Sequence, residues 1–303
     1  MNADNELFPS VDPEEGRVLG FGATSTVYLL EDGTVCKLFN REFSRREILR
    51  ENQVSETAYR LGLRVPRPYG VVASGDRLGI RRDYLDAESL SKHLAAHPED
   101  YKALLPSYVG ELRHFHETEA RAEDLASAAE LYLEKLDRLS GTDWYTPEEL
   151  LKMERLIRSV PPRNTLIYGD YHPKNIRVKD HELWFADLGD TCLGHPVFDF
   201  AMIANTHFII PSVNPSYAEK YFSAPAPLML RLWEDLFSLY FSEYSGEEKN
   251  RIRKQIMAFA VLRQGLSPAD GRVFPENVLR GNVSAVKKKL MPGIDELIGS
   301  VNW

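Results

Sequence analysis

Two short stretches of the chain carry polar side chains whose types and spacing could do chemistry. The stretch 168–175 reads YGDYHPKN, so the carboxylate of Asp170 precedes the amide of Asn175 by five residues, and Asp187 follows Asn175 by twelve. An acid that takes a hydroxyl proton, together with oxygen ligands for a cation, is the set that phosphoryl transfer requires. The pattern predicts Asp170 as a catalytic residue and Asn175 and Asp187 as metal ligands.

The spacing by itself also fits an acid-rich turn between two core strands. The flanking residues are typical of strands, because apolar runs at 176–178 and 183–186 enclose the polar stretch 179–182. They predict a β-hairpin directly after the first polar loop. The chemical assignment therefore depends on what the rest of the chain supplies.

A glycine-rich stretch far upstream could supply an anion site. Residues 19–28 read LGFGATSTVY and lie between runs with strand character. Glycine lets backbone amides approach an anion that a side chain would exclude. The residues that we expect to contact a nucleotide here are Gly20, Gly22, Thr24, Ser25 and Val27. A hairpin with no ligand is the alternative for this stretch.

Lys37 is a cation in an apolar strand, within TVCKLF at 34–39. A lysine in such surroundings needs an anionic partner. The helix predicted at 44–61 offers Glu47 and Glu51, which share one face because they are four residues apart. We expect Glu51 to be the partner, with Glu47 as the alternative. A lysine that reaches past a sheet edge into water, and a solvated helix face, would explain the same residues.

The hydrophobic pattern changes near residue 86. Short strand-like runs come before it and helical periods after it, as in the apolar positions of 104–115. The pattern predicts an α+β chain in two segments. Residues 1–86 would form a small antiparallel sheet with one main helix and bind the nucleotide. Residues 87–303 would be mostly helical and carry the catalytic loop, the metal loop and the acceptor pocket.

In chain order, these features resemble the aminoglycoside phosphotransferase and choline kinase superfamily, small-molecule kinases that share the protein kinase fold. The likeness spans nearly the whole chain and implies a bilobal, protein-kinase-like fold. The motifs that carry it are Gly20-x-Gly22-x-x-Ser25-x-Val27, Val65-Pro-Arg-Pro68, Leu85-Asp-Ala-Glu-Ser-Leu90, Gly169-Asp170-x-His172-Pro173-x-Asn175, Asp187-x-Gly189 and Gly194-x-Pro196-x-x-Asp199-x-Ala201.

The resemblance implies a role for each matching polar residue. Lys37 would touch the phosphates of ATP and pair with Glu51. Asp170 would orient or deprotonate the acceptor hydroxyl, and Asn175 and Asp187 would hold Mg²⁺. The acceptor would be the hydroxyl of a small molecule, either aminoglycoside-like or an amino alcohol.

The same resemblance implies that Asp83 and Leu85 present backbone groups to adenine. The sequence departs from the family here, because Arg81 and Arg82 replace the usual apolar approach to this segment. Asp199 would support the catalytic loop rather than touch the substrate.

Two further departures concern the loops themselves. Tyr168 replaces the usual histidine before Gly-Asp, and His195 replaces the usual aspartate after Gly194. Protein kinase features are missing as well, since no arginine precedes Asp170 and no Ala-Pro-Glu follows Asp187. A small-molecule acceptor is therefore favoured over a protein. The alternative is a catalytically silent, nucleotide-binding regulatory module of the same fold.

Composition narrows the classes of partner. A net charge of −8 argues against general nucleic-acid affinity, and no apolar run is long enough to cross a bilayer. The only cysteines, Cys36 and Cys192, form no C-x-x-C motif, which fits a reducing cytoplasm. The first nine residues lack the pattern of a signal peptide. The oligomeric state stays open.

The sequence gives only candidates for the acceptor pocket. Asp190 could contribute a charge, and the candidate aromatic residues are Phe208, Tyr217, Trp233 and Tyr240. An acidic pocket would suit a polycationic aminoglycoside, and an aromatic box would suit a quaternary ammonium group. For most of these aromatic residues, a place in the core is the stronger expectation.

Overall fold

The strand-like runs before residue 84 form one antiparallel sheet in the computed structural model, which describes residues 7–13, 16–22, 24–121, 123–270 and 274–303. Its five strands have the spatial order β1-β2-β3-β5-β4. They are β1 (Arg17–Phe21), β2 (Ser25–Leu29), β3 (Thr34–Phe39), β4 (Pro68–Ser74) and β5 (Arg77–Asp83). Gly33 and Gly75 have positive φ angles of 79° and 59° in the tight turns, a conformation that glycine adopts without strain.

One helix, α1 (Arg45–Arg60), packs against β4 and β5 of this sheet. It begins with a capping box, in which the hydroxyl of Ser44 accepts from the backbone of Glu47 and the carboxylate of Glu47 accepts from the backbone of Ser44. A buried cluster that includes Phe39, Ile48 and Ile80 joins the helix to the sheet. The side chains that alternate along β3 and β5 thus divide into a face covered by α1 and an opposite face.

The predicted hairpin is present as β8 (Ile176–Lys179) and β9 (Glu182–Phe185). Asp180 and His181 form its turn with φ angles of 51° and 62°, as a two-residue hairpin requires. The amide of Phe185 donates to the carbonyl of Arg64 at 2.9 Å. The chain accordingly divides into a first unit, Met1–Glu88 with Ile176–Asp190, and a second unit, Ser89–Asn175 with Thr191–Trp303.

The second unit is mostly helical. Its α-helices are α2 (Leu90–Ala96), α3 (Tyr101–Glu117), α4 (Ala128–Leu139), α5 (Pro147–Arg158), α6 (Val197–Ile203), α7 (Ile210–Val213), α8 (Pro215–Phe222), α9 (Ala226–Tyr240), α10 (Gly246–Gly265), α11 (Glu276–Ala285) and α12 (Ile294–Leu297). Short 3₁₀ or π segments connect several of them: Pro98–Asp100, Ala204–Ile209, Ser267–Asp270, Val286–Leu290 and Met291–Gly293. A two-residue strand, β6 (Glu88–Ser89), stands at the junction of the units.

Two short strands hold the loop that contains Asp170. β7 (Leu166–Ile167) pairs antiparallel with β10 (Cys192–Leu193). Around them pack α3, whose apolar side is fully buried at Leu112 and Phe115, and α10, which lies against α6. The predicted α+β class is confirmed, with a small antiparallel sheet plus one helix in the first unit and helices dominating the second. In the described part of the chain, no helix combines the length and apolarity that a membrane span needs.

Candidate active site

Lys37 lies at the centre of an ion cluster within the first unit. Its ammonium Nζ is 2.7 Å from Oε1 of Glu51 and 3.2 Å from Oδ1 of Asp187. The side chains of Lys37 and Glu51 are only 8% and 12% exposed, whereas that of Asp187 is 52% exposed. The buried pair therefore leaves one carboxylate open to solvent, where a ligand can reach it.

Of the two glutamates that share the face of α1, the structure pairs Glu51 with Lys37. Glu47 is exposed and its carboxylate accepts from the backbone and the hydroxyl of Ser44 in the capping box. Gly189 packs so closely on Glu51 that a Cβ atom there would lie 3.1 Å from the carboxylate Oε2. The Asp-Leu-Gly stretch thus needs its glycine to pass beside the ion pair.

The charges of this cluster stabilise one another. Burial acts to lower the pKa of Lys37, but the carboxylates of Asp187 and Glu51 outweigh it and raise that pKa above its usual value. Burial acts to raise the pKa of Asp187, but Lys37, followed by Arg82, holds that pKa below its usual value. Lys37 and Asp187 are therefore both charged at neutral pH.

A cavity of about 270 Å³ opens beside this cluster within the first unit. Four of the predicted nucleotide residues line it: Gly20, Val27, Asp83 and Leu85. Its other lining residues are Leu19, Val35, Pro66, Arg82, Tyr84, Ala87, Arg177 and Ala186. Apolar side chains combined with a few polar groups are typical of small-molecule sites. A Cβ atom on Gly20 would meet no protein atom within 4 Å, so the space beside this glycine is open.

The other residues of the predicted phosphate loop lie in a tight turn. The amide of Gly22 donates to the carbonyl of Ser25 at 2.8 Å, and the carbonyl of Thr24 accepts from Asn40 at 2.9 Å. Ser25 is buried in β2, and these three residues do not line the cavity. Ala23, in the middle of the loop, lies outside the described residues.

Asp170 and Asn175 lie together in the second unit. The amide nitrogen of Asn175 donates to Oδ2 of Asp170 at 2.7 Å and to its backbone carbonyl at 3.2 Å. His172 Nε2 lies 3.4 Å from the same carboxylate, whose side chain is 24% exposed. Because the nitrogen of Asn175 is directed at Asp170, its amide oxygen points away from Asp170, as a cation ligand would.

Asp199 holds the backbone that leads into Asp170. Its carboxylate is fully buried and accepts from the amides of Tyr168 at 2.7 Å and Gly169 at 2.6 Å, and from Nε2 of His116 at 3.1 Å. Gly169 has a positive φ of 83°, which favours glycine. The sequence analysis missed His116 in this network. It also missed Arg263 of α10, which donates to the carbonyl of Gly169 at 3.1 Å; no local pattern in the sequence marks either residue.

We predict that Asp199→Asn lowers the free energy of unfolding by about 3 kcal/mol, because an amide NH₂ group would face donors that need an acceptor. Urea unfolding measures the change. Asp143→Asn, at an exposed position of the same unit, is the matched control and should stay within about 0.5 kcal/mol of the unmodified protein. Equal stability of the two variants would contradict the assigned role of Asp199.

Tyr168 and His195, the two residues that depart from the family pattern in the loops, are both buried in the core of the second unit. The ring of Tyr168 is fully buried and meets Phe115 edge to face, with centroids 5.5 Å apart. His195 is buried too; its Nε2 donates to the carbonyl of Trp303 at 2.7 Å, and its Nδ1 accepts from the amide of Val197 at 3.1 Å. That pair of contacts requires the neutral ring.

We predict that the neutral state of His195 makes stability fall in mild acid. Burial, reinforced by the charge of Arg163, lowers the pKa of His195 to about 4, compared with about 6.5 in an unfolded chain. Between these values the unfolded chain binds a proton that the folded chain cannot, so the free energy of unfolding decreases as pH falls, by about 3 kcal/mol in total. His195→Asn, which keeps an acceptor for Val197, should remove that part of the slope in urea unfolding at pH 7 and pH 4.5. An identical slope would contradict the assignment.

The candidate acceptor residues divide into core and surface positions. Trp233 is buried, and the centroid of its ring lies 6.2 Å from that of Phe208. The hydroxyl of Tyr240 lies 2.7 Å from Nδ1 of His116. Tyr217 is exposed and stacks on Tyr221, with centroids 5.7 Å apart and an interplanar angle of 8°.

Tyr221, which the sequence analysis did not select, lies beside the loop that contains Asp170. Its ring is 6.4 Å from that of His172, and the ammonium of Lys174 lies 4.1 Å above it. The Tyr217 and Tyr221 pair is therefore an exposed aromatic surface next to the loop of Asp170. Asp190, the acidic candidate, is exposed at the end of the first unit's hairpin segment.

The two predicted metal ligands carry oxygen atoms of the kind that magnesium binds. Among the described residues, no group of three or more histidine, cysteine, aspartate or glutamate side chains could hold a metal ion. Magnesium is usually bound by one or two carboxylates together with water and substrate phosphates. The half-exposed carboxylate of Asp187 and the amide oxygen of Asn175 are groups of that kind.

Solved structures of known proteins share the fold of this chain. An aminoglycoside phosphotransferase with bound ADP is similar over 95% of this chain and 97% of its own, with a TM-score of 0.58 and 17% identity. A GDP and kanamycin complex of another aminoglycoside phosphotransferase covers 92% of this chain and 93% of its own, with a TM-score of 0.55 and 13% identity. These likenesses support the protein-kinase-like fold predicted from the sequence.

A choline/ethanolamine kinase family protein from Mesorhizobium loti is similar as well, over 94% of this chain and 91% of its own, with a TM-score of 0.57 and 14% identity. No curated protein matches by sequence. The sequence model of the phosphotransferase enzyme family matches residues 15–233. This match covers well over half of the chain, which therefore belongs to the phosphotransferase enzyme family.

Proposed function

We propose that the chain transfers the γ-phosphate of a purine nucleoside triphosphate to a hydroxyl group of a small molecule. The observation that carries the proposal is the buried ion pair of Lys37 and Glu51 with the solvent-open carboxylate of Asp187, beside a cavity lined by both apolar and polar residues. ATP is the donor that the sequence resemblance implies. The neighbours of similar fold hold adenine or guanine nucleotides.

Each of the polar residues has one proposed role. The ammonium of Lys37, fixed by Glu51, binds donor phosphates. Asp187 and Asn175 hold magnesium, which when bound neutralises charge on the phosphates. Asp170 orients the acceptor hydroxyl and accepts its proton, and Asn175 keeps that carboxylate in position with its 2.7 Å hydrogen bond.

The acceptor is proposed to be aminoglycoside-like or an amino alcohol. Two neighbours support this class, since one holds kanamycin and another belongs to a choline/ethanolamine kinase family. In this chain, the exposed rings of Tyr217 and Tyr221 provide a surface that could pack against a sugar ring or a methylated ammonium group.

The alternative of a silent, nucleotide-binding module has weaker support. It rested on Tyr168 and His195, and both residues have structural partners in the core of the second unit. Neither belongs to the ion cluster around Lys37. An active phosphotransferase therefore explains the site better than a silent module does.

The test is a nucleotide turnover assay on the purified full chain with magnesium, run against a panel of aminoglycosides, amino alcohols and sugars. Both ATP and GTP are supplied. Release of nucleoside diphosphate that depends on an acceptor and disappears in Asp187→Ala would support the proposal. Nucleotide binding without stimulated turnover across the panel would instead favour the silent module.

A further inference from the structure

We propose that Arg82 makes the chain select guanine over adenine nucleotides, by donating hydrogen bonds to the carbonyl oxygen at position 6 of the base. The inference rests on the proposed function, because it concerns the base of the phosphate donor. It replaces ATP by GTP as the preferred donor, and it assigns the preference to a residue where the family usually has an apolar side chain.

The sheet register places Arg82 on the face that carries the ion cluster. Arg82 pairs with Val35 across β3 and β5, and Lys37 pairs with Ile80 one step along the same face. Directly paired and alternate residues of antiparallel strands project to one side. The side chain of Arg82 therefore leaves the sheet on the side of Lys37, where it lines the cavity together with Val35 and Ala186.

The guanidinium of Arg82 is directed across the cavity. Its Nη1 donates to the backbone carbonyl of Ala186, the residue before Asp187. Its charge therefore lies close to the ion cluster, because Ala186 and Asp187 are adjacent in the chain. This hydrogen bond holds the guanidinium against the backbone next to Asp187, within the lining of the cavity.

The hydrogen-bonding groups of a guanidinium restrict which ligand atoms it can bind. It has five N–H donors and no acceptor, and one donor is committed to Ala186. The remaining donors can pair with acceptors of a base bound in the cavity. Guanine presents two acceptors along one edge, O6 and N7, whereas adenine presents N7 beside an amino group that is itself a donor. A donor facing a donor in a poorly solvated site is unfavourable.

The residues that line the cavity next to Arg82 favour the same base, guanine. The backbone of 83–85 lines the rim directly after Arg82, so a base that lies along this backbone has its adjacent edge next to the guanidinium. The one carboxylate of the lining, that of Asp83, accepts from the hydroxyl of Tyr69 at 2.7 Å.

The experiment measures dissociation constants of GDP, ADP and IDP for the full chain with magnesium, by calorimetry. We expect GDP to bind about tenfold or more tightly than ADP. IDP keeps the carbonyl at position 6 but lacks the 2-amino group of guanine, so it should bind close to GDP. IDP that binds like ADP would overturn the proposal without any variant being needed.

Two variants locate the effect. Arg82→Met should reduce the preference for GDP about tenfold or more, towards or past equality with ADP. Arg81→Met is the matched control, because Arg81 donates to Thr34 Oγ1 at 2.9 Å on the other face and lies outside the cavity. It should leave the ratio unchanged.

The outcomes separate this inference from the proposed function. Equal or tighter binding of ADP by the unmodified chain, or a ratio that Arg82→Met does not change, overturns the role of Arg82 and leaves a nucleotide-dependent transferase intact. A chain that binds none of the three nucleotides, with no shift of its melting temperature, overturns the proposed function as well.

Discussion

Asp170→Asn is expected to reduce acceptor-dependent turnover by about a hundredfold or more, because it removes the group proposed to accept the hydroxyl proton. The dissociation constant of the nucleotide should change little, since the cavity and the ion cluster belong to the first unit and Asp170 to the second. Steady-state rates with a true acceptor, together with calorimetric nucleotide binding, separate the two effects.

Asp180→Asn is the matched control for that substitution. Asp180 lies in an exposed hairpin turn with a φ of 51°, which asparagine also tolerates, so this variant should retain full turnover. Turnover of Asp170→Asn within a few-fold of the unmodified protein would show that the acid has another role.

Lys37→Met is expected to have the second large effect. Without the ammonium, the buried carboxylate of Glu51 and the carboxylate of Asp187 lose the charge that both contact. Breaking a buried pair in this way costs about 3 kcal/mol of folding stability. Loss of the cation that is proposed to bind the phosphates should lower turnover by about a hundredfold. Urea unfolding and the turnover assay measure the two losses separately.

The control for Lys37→Met is Lys179→Met, which removes an exposed lysine from the hairpin of the same unit.

A second pair of variants tests which glutamate is the partner of Lys37. Glu51→Gln should lower turnover, whereas Glu47→Gln should cost only about 1 kcal/mol of stability through the weakened cap. Equal turnover losses in the two glutamine variants would refute the pairing seen in the structure.

The strands, the main helix and the hairpin could be predicted from the sequence, because each depends on signals within a few residues. The turn at Gly33, the capping residue Ser44 and the apolar periods of α3 are signals of this kind. The helix predicted at 44–61 spans 45–60 in the structure. Local backbone preferences and the hydrophobic period decide such elements.

Other features depended on packing that the sequence does not display. Glu47 and Glu51 share one helix face, and only the capping contact of Glu47 with Ser44 and the packing of Gly189 on Glu51 separate their roles. Arg263 reaches the carbonyl of Gly169 across 94 residues of sequence. Trp233 was a candidate for the acceptor pocket and is a core residue.

The sequence by itself predicted a phosphotransferase chemistry, because the polar groups of 168–175 and 187 have a characteristic spacing along the chain. The tertiary structure alone decided which partner each charge has, and where Arg82 points. The physical reason is the distance along the chain over which each kind of constraint acts. Spacing constrains atoms within about one turn or hairpin, whereas a buried charge takes its partner from whatever the packed core brings within hydrogen-bond distance.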